Sequence, residues 1–198
     1  MIYYGDLSNN FLQSPYTDIK DRVRLLESLE KSNFEEYQGP LPYDIETPPE
    51  DILAYWDSKS EFGQSLKQRI HNGISPLLEA EESVILIAHS LGAVLSYDQL
   101  SLCTGSAEHV TLMTLGSPLS HPQFEERKSD RFPTLAAWHN VSAKGDKICG
   151  PRNQELVDQE HEIINPLIKE GEPDPHHALG YLRHPGTANI LGEWLSQQ

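Results

Sequence analysis

The chain has 198 residues, 37% of them apolar and gathered in separated runs, which predicts a single globular domain over 1–198 and excludes a disordered chain. Fifteen basic against thirty acidic residues give a formal net charge of -15, which repels phosphate backbones and anionic membrane surfaces and so disfavours nucleic acid as a partner. No run approaches the roughly 18 consecutive apolar residues of a membrane span, and Met1-Ile2-Tyr3-Tyr4-Gly5-Asp6 lacks the basic flank and apolar stretch of a signal peptide, so a cytoplasmic protein with no integral membrane segment is expected.

Ile2 to Tyr4, closed by Gly5-Asp6, reads as a short strand. Over 18–32, Ile19, Val23, Leu26 and Leu29 recur at the period of an amphipathic helix. Gln38-Gly39-Pro40-Leu41-Pro42 and Pro48-Pro49 then predict a surface loop over 35–49. Ile52, Tyr55, Trp56, Phe62, Leu66 and Ile70 keep one helical face apolar until Gly73 offers a stop, and Ser75-Pro76-Leu77-Leu78 could add a turn.

The most apolar run of the chain, Val84-Ile85-Leu86-Ile87-Ala88, predicts a central parallel strand buried on both faces, with a helix over 91–102 directly behind it. The alternation repeats with strands over 109–115 and 135–141, while 154–165 and 187–195 read as further helix or mixed segments. Strands separated by connections long enough to cross over imply parallel βαβ units, so the fold class is α/β.

Between that strand and that helix stands Ala88-His89-Ser90-Leu91-Gly92, a strand, a sharp turn and a helix. Small residues at 88 and 92 are expected because bulk on either side of such a turn would collide with neighbouring elements. A Ser displayed there is a candidate nucleophile, but a serine hydroxyl needs a base within hydrogen-bond reach and a third group to orient that base. In open parallel sheets these groups gather beyond the carboxyl ends of the strands. Asp146, in the loop Ser142-Ala143-Lys144-Gly145-Asp146, belongs to that rim, and His176 and His177 follow in the proline-bounded Pro173-Asp174-Pro175-His176-His177. The order Ser, Asp, His is the one expected of such an architecture.

In these motifs the chain resembles the lipase and serine-esterase branch of the α/β-hydrolases. The likeness rests on residues 84–92, on Thr114-Leu115-Gly116-Ser117-Pro118-Leu119, on Trp138-His139-Asn140 leading to Asp146, and on a late His before Tyr181-Leu182. It implies a mostly parallel sheet flanked by helices and a nucleophile elbow. It also implies a catalytic triad of Ser90, Asp146 and one of the paired histidines, with the backbone N–H of Leu91 in the oxyanion hole. His176 is favoured over His177 because related chains keep the base five residues before the equivalent of Tyr181. The implied reaction is cleavage of a carboxylic ester of a small molecule or lipid through an acyl-enzyme, with no cofactor.

Two departures stand out. Ala88 replaces the usual Gly, the smallest intrusion available at that turn. Family members also begin with an earlier strand ending in a His-Gly loop that supplies a second oxyanion donor, and this chain starts later than that. A longer natural protein, another loop in that role, or a damaged site would each account for it. Restoring an upstream segment, if one is encoded, is expected to raise solubility and turnover.

Alternatives accompany each residue. Ser90 could be a helix cap, Asp146 an ordinary turn carboxylate with Asp130 as its rival, and His176 and His177 surface imidazoles. His89 is a poor base for the adjacent Ser90 and is expected to pack beside the site. A metal site from His176, His177, His184 and Asp174 matches no zinc spacing, and Cys103 and Cys149 read as reduced thiols, too few for a disulfide framework. Trp56, Trp138 and Trp194 read as core or interface anchors. At the level of the whole chain, the rival to an enzyme is a noncatalytic binding module on the same scaffold, and the same triad would also cleave amides or thioesters.

Overall fold

The computed structural model describes residues 50–80, 82–103, 106–120, 124, 132–149, 157–165, 167–169 and 172–197. The expected strand at Ile2 to Tyr4, the helix over 18–32, the loop over 35–49 and Asp130 lie outside them.

The elements in order are α1 (Glu50–Trp56), α2 (Glu61–Glu79), β1 (Val84–His89), α3 (Leu91–Ser101), β2 (Ala107–Leu115), a short 3-10 turn (Pro118–Ser120), β3 (Leu135–Ala143), β4 (Gln159–Ile163), β5 (Ile168–Lys169), β6 (Glu172–Pro173), α4 (Ala178–Arg183) and α5 (Pro185–Leu195). Among the described residues the main sheet has four strands in the order β1-β2-β3-β4, every neighbour parallel, while β5 and β6 form a separate antiparallel pair. The α/β class, a parallel sheet flanked by helices, is the one expected.

The single helix expected from Ile52 onward is two. It breaks at Asp57–Ser60, where the Ser60 hydroxyl accepts from the Gly63 N–H at 3.1 Å and caps α2. Gly63 lets the two helices meet, since a Cβ there would lie 2.9 Å from the carbonyl oxygens of Ala54 and Tyr55. Gly73 does not stop α2, which runs past Pro76 to Glu79. Buried Ile70 and Ile74 continue the apolar face, and Leu78 packs against the same core. Burying such side chains is worth about 1.5–3 kcal/mol each, more than the roughly 1 kcal/mol a helical glycine costs.

Alternating side chains along the strands feed two cores, one on each face of the sheet. Leu86, Ala88, Val110, Leu112 and Trp138 pack with α1, α2 and α3. Ile85, Met113, Leu115, Val141 and Ile163 pack with Tyr181 of α4 and Ile190 of α5. Helix α3 is apolar almost all round and correspondingly buried, from Leu91 to Leu100.

Among the described residues β1 stands at one end of the four-stranded sheet, with Ile87 on it 43% exposed where burial on both faces was expected. The residues over 154–165 hold a strand, β4, whose sequence Gln-Glu-His-Glu-Ile carries little apolar signal. Polar side chains on it meet polar partners on β3 instead: Asn140 Nδ2 donates to Glu160 Oε2 at 2.9 Å, and His161 Nε2 lies 3.3 Å from His139 Nδ1.

Candidate active site

Parallel pairing brings the carboxyl ends of β1, β2 and β3 to one rim, with His89 opposite Leu115 and Leu115 opposite Val141. The ladder continues one residue beyond each of the first two strands. The Ser90 N–H donates to the Leu115 carbonyl at 3.0 Å, and the Gly116 N–H donates to the Val141 carbonyl at 2.9 Å.

Ser90 adopts φ 54° and ψ -125°, the one positive φ outside glycine among the described residues. Such a conformation costs on the order of 1–3 kcal/mol in an L residue. Ser90 gives α3 no side-chain cap. Its hydroxyl lies 2.8 Å from His176 Nε2. Ala88 beside it is buried, and among the described residues a Cβ at Gly92 would meet no atom within 4 Å, so a methyl group has room there.

Asp146 follows β3 on a tight turn in which its N–H donates to the Ala143 carbonyl at 3.0 Å and Gly145 takes φ 84°. One carboxylate oxygen accepts from the Ile148 N–H at 3.0 Å; the other accepts from His176 Nδ1 at 2.8 Å and from the Tyr181 hydroxyl at 2.5 Å. Because a carboxylate only accepts, Nδ1 of His176 carries the proton and Nε2 turns its lone pair to the Ser90 hydroxyl. Burial pushes the Asp146 carboxyl up, but the hydrogen bonds and charge of His176 and the Tyr181 hydroxyl outweigh it and hold the group below its ordinary value. The side chain of Asp146 is sealed at 0% exposure while that of His176 keeps 27%, so the imidazole is reachable from solvent and its carboxylate is not.

Tyr181 also accepts from the Ala143 N–H at 2.8 Å, fixing its hydroxyl as the donor to Asp146. Burial, then the neighbouring Cys149 and Asp146, push its pKa up. Cys149 is likewise pushed up by burial and by Asp146. No second anion therefore competes with the carboxylate.

The loop bearing His176 is shaped by Asn165, whose Nδ2 donates to the carbonyls of Pro175 at 2.9 Å and His177 at 3.0 Å while its Oδ1 accepts from the Leu167 N–H at 3.1 Å. Gly116 makes room for the whole group. Its φ is 57°, and a Cβ there would lie 3.0 Å from Asp146 Oδ2 and 3.2 Å from His176 Cε1.

Ser90, Asp146 and His176 thus meet, and His177 does not join them. Its Nδ1 accepts from the Leu179 N–H at 3.2 Å as the cap of α4, and His184 caps α5 in the same way through the Gly186 N–H at 3.1 Å. Leu91 opens α3, so its N–H belongs to the first-turn donors that the helix itself does not use. Sequence reasoning missed Gly116, Asn165 and Tyr181 as supports. Gly116 and Tyr181 lie inside motifs that it singled out, whereas Asn165 carries no local signal.

Among the described residues no group of three or more His, Cys, Asp or Glu side chains is placed to hold a metal ion, and no helix is long and apolar enough to cross a membrane. A cavity of about 600 Å³ opens between α2 and α3, lined by Tyr55, Lys67, His71, Asp98 and Gln99 among others, with none of the three relay residues in its wall. Comparison with protein-family models, with curated proteins and with solved structures returns no match.

Proposed function

We propose that the protein is a serine hydrolase of the α/β-hydrolase type that cleaves carboxylic esters. The observation that carries the reading is the single imidazole of His176, hydrogen-bonded at 2.8 Å to the Ser90 hydroxyl on one side and at 2.8 Å to the Asp146 carboxylate on the other. In this reading Ser90 Oγ attacks the ester carbonyl as its proton passes to His176 Nε2. Asp146 steadies the imidazolium, and the Leu91 N–H meets the developing oxyanion. The imidazolium then protonates the departing alcohol, leaving an acyl-serine. Water, deprotonated by His176, attacks that acyl group, and the carboxylic acid leaves with Ser90 restored.

The strained backbone at Ser90 supports this over a capping role, because a cap needs neither a positive φ nor an imidazole partner, and Ser90 gives no cap. An inert scaffold would have no use for the relay. Choosing esters of small molecules or lipids over amides or thioesters rests on the likeness of the motifs to lipases and serine esterases. Two cysteines outside any disulfide, Cys103 and Cys149, go with a cytoplasmic setting.

A fluorophosphonate probe and a chromogenic p-nitrophenyl ester test the reading together. The wild-type protein is expected to be labelled and to release nitrophenol, and Ser90→Ala is expected to lose both while unfolding at the same denaturant concentration. Undiminished labelling of Ser90→Ala would refute the assignment.

A further inference from the structure

Three consecutive carbonyls in the loop that carries His176 are taken by side chains from the ends of two strands. Those of Pro175 and His177 accept from Asn165, which follows β4, and the one between them, on His176 itself, accepts from His89 Nε2 at 2.7 Å. His89 is the last residue of β1, a strand in register with β2 over its whole length. The bond therefore ties the loop to the same strand end that displays Ser90, across 87 residues of sequence.

We propose that His89 is a positioning residue for the base: its Nε2–H holds the main-chain carbonyl of His176 and so sets where the His176 imidazole meets the Ser90 hydroxyl. This rests on the serine-hydrolase reading and adds a residue to it. Because a carbonyl only accepts, Nε2 of His89 is the protonated nitrogen. The two rings lie against each other with centroids 4.7 Å apart, and the Tyr181 ring stands 5.7 Å from His89 on the same side.

The titratable groups facing His89 are His176, Asp146, His177 and the hydroxyl-bearing ring of Tyr181. Burial, and then the charge that His176 can carry, lower its pKa from 6.5 to about 4, against the opposing pull of the hydrogen bond to the His176 carbonyl and then of Asp146. A neutral donor suits this place. It grips the loop without putting a second positive charge beside the imidazolium that forms during acyl transfer.

The experiment compares wild type, Ser90→Ala, His89→Phe and His89→Gln on p-nitrophenyl butyrate and on fluorophosphonate labelling rate. Phe keeps a ring and removes the donor, whereas the amide nitrogen of Gln reaches about as far as Nε2. His89→Phe is expected to lower kcat about 10-fold to 100-fold, the scale of a slightly misplaced catalytic group, with KM within about 2-fold because the substrate itself is not touched. His89→Gln is expected to recover most of that loss. Wild-type kcat in His89→Phe, or an equal fall in both variants, overturns the role of His89 and leaves the hydrolase reading standing. A wild-type protein that is not labelled at Ser90 overturns that reading, and this role with it. Nitrogen NMR of the wild-type imidazoles gives a measure independent of any variant's folding: His89 is expected as the Nε2–H form down to about pH 4, and the opposite tautomer would sink the proposal.

Discussion

Ser90 reaches its place through its own backbone, wedged at φ 54° between a strand and a helix that adjoin it in sequence. His176 reaches its place through side chains borrowed from elsewhere: Asp146 after β3, Asn165 after β4, His89 at the end of β1 and, through Asp146, Tyr181 on α4. The first device is local and strained. The second is distributed: the neutral hydrogen bonds of Asn165 and His89 are worth about 0.5–1.5 kcal/mol net each, and those to the Asp146 carboxylate about 1.5–3 kcal/mol. Under the proposed reading, a nucleophile need only be displayed, but a base must meet two partners at once, and that demands constraint from several directions.

The distributed side should therefore break at its most crowded point. A Cβ on Gly180, in α4, would stand 1.7 Å from Asn165 Oδ1 and 2.6 Å from its Nδ2. Gly180→Ala must displace Asn165, the donor to two loop carbonyls. The expected loss is about 3 kcal/mol, the upper part of the overpacking range, read as a lower midpoint in urea, together with slower fluorophosphonate labelling of Ser90. A variant with the wild-type midpoint would mean that Asn165 does not hold the loop.

The same contrast decides what was legible in the sequence. The strand, the turn at Ser90 and α3 occupy contiguous residues, so apolar run, small residues and helical pattern were enough to place them. Asp146 was legible as a polar residue just past a strand. By composition His176 and His177 were legible only as a pair, and the preference for His176 came from the resemblance alone; in the fold His176 meets Ser90 while His177 caps α4. Strand β4 was hidden because Glu160 and His161 meet Asn140 and His139 of β3, and of its five residues only Ile163 enters the apolar core. Asn165 and His89 act on backbone carbonyls, which any residue supplies, so no side-chain pattern announces them. Gly73 misled for the opposite reason, since a local stop signal was overridden by the burial of Ile74 further along.

Acid should weaken the distributed side next. In the unfolded chain His89 takes up a proton near pH 6.5, whereas in the fold it resists until about pH 4. Between those values the unfolded state binds the extra proton, so stability falls as pH falls. The loss is nil above about pH 6.5, complete below about 4, and at most about 3 kcal/mol. Asp146 acts in a lower window: its carboxyl is held below the ordinary 3.8 by its partners, so its contribution is present above that pH and is lost as the pH drops through the folded value. Urea midpoints followed from pH 7.5 to 4.5 should drop less steeply in His89→Gln than in wild type, which separates His89 from the other histidines. Parallel curves would mean that His89 charges as readily in the fold as out of it.

The local side offers the smallest effect and the sharpest contrast with Gly180. Gly92 stands two residues beyond the strained serine, where a sharp turn invites the expectation that only glycine fits. It has no positive φ, and among the described residues a Cβ there would meet nothing within 4 Å. As a residue of the first turn of α3 it contributes only the flexibility of glycine in the unfolded chain. Gly92→Ala should therefore stabilise the protein by about 0.5–1 kcal/mol, through helix propensity and reduced unfolded-state entropy, visible as a rise in Tm. A destabilised Gly92→Ala would show that the turn is held by close packing after all, and the division between a backbone-held Ser90 and a side-chain-held His176 would lose its first half. A rise in Tm would leave the strain at Ser90 alone as the local cost of displaying the hydroxyl.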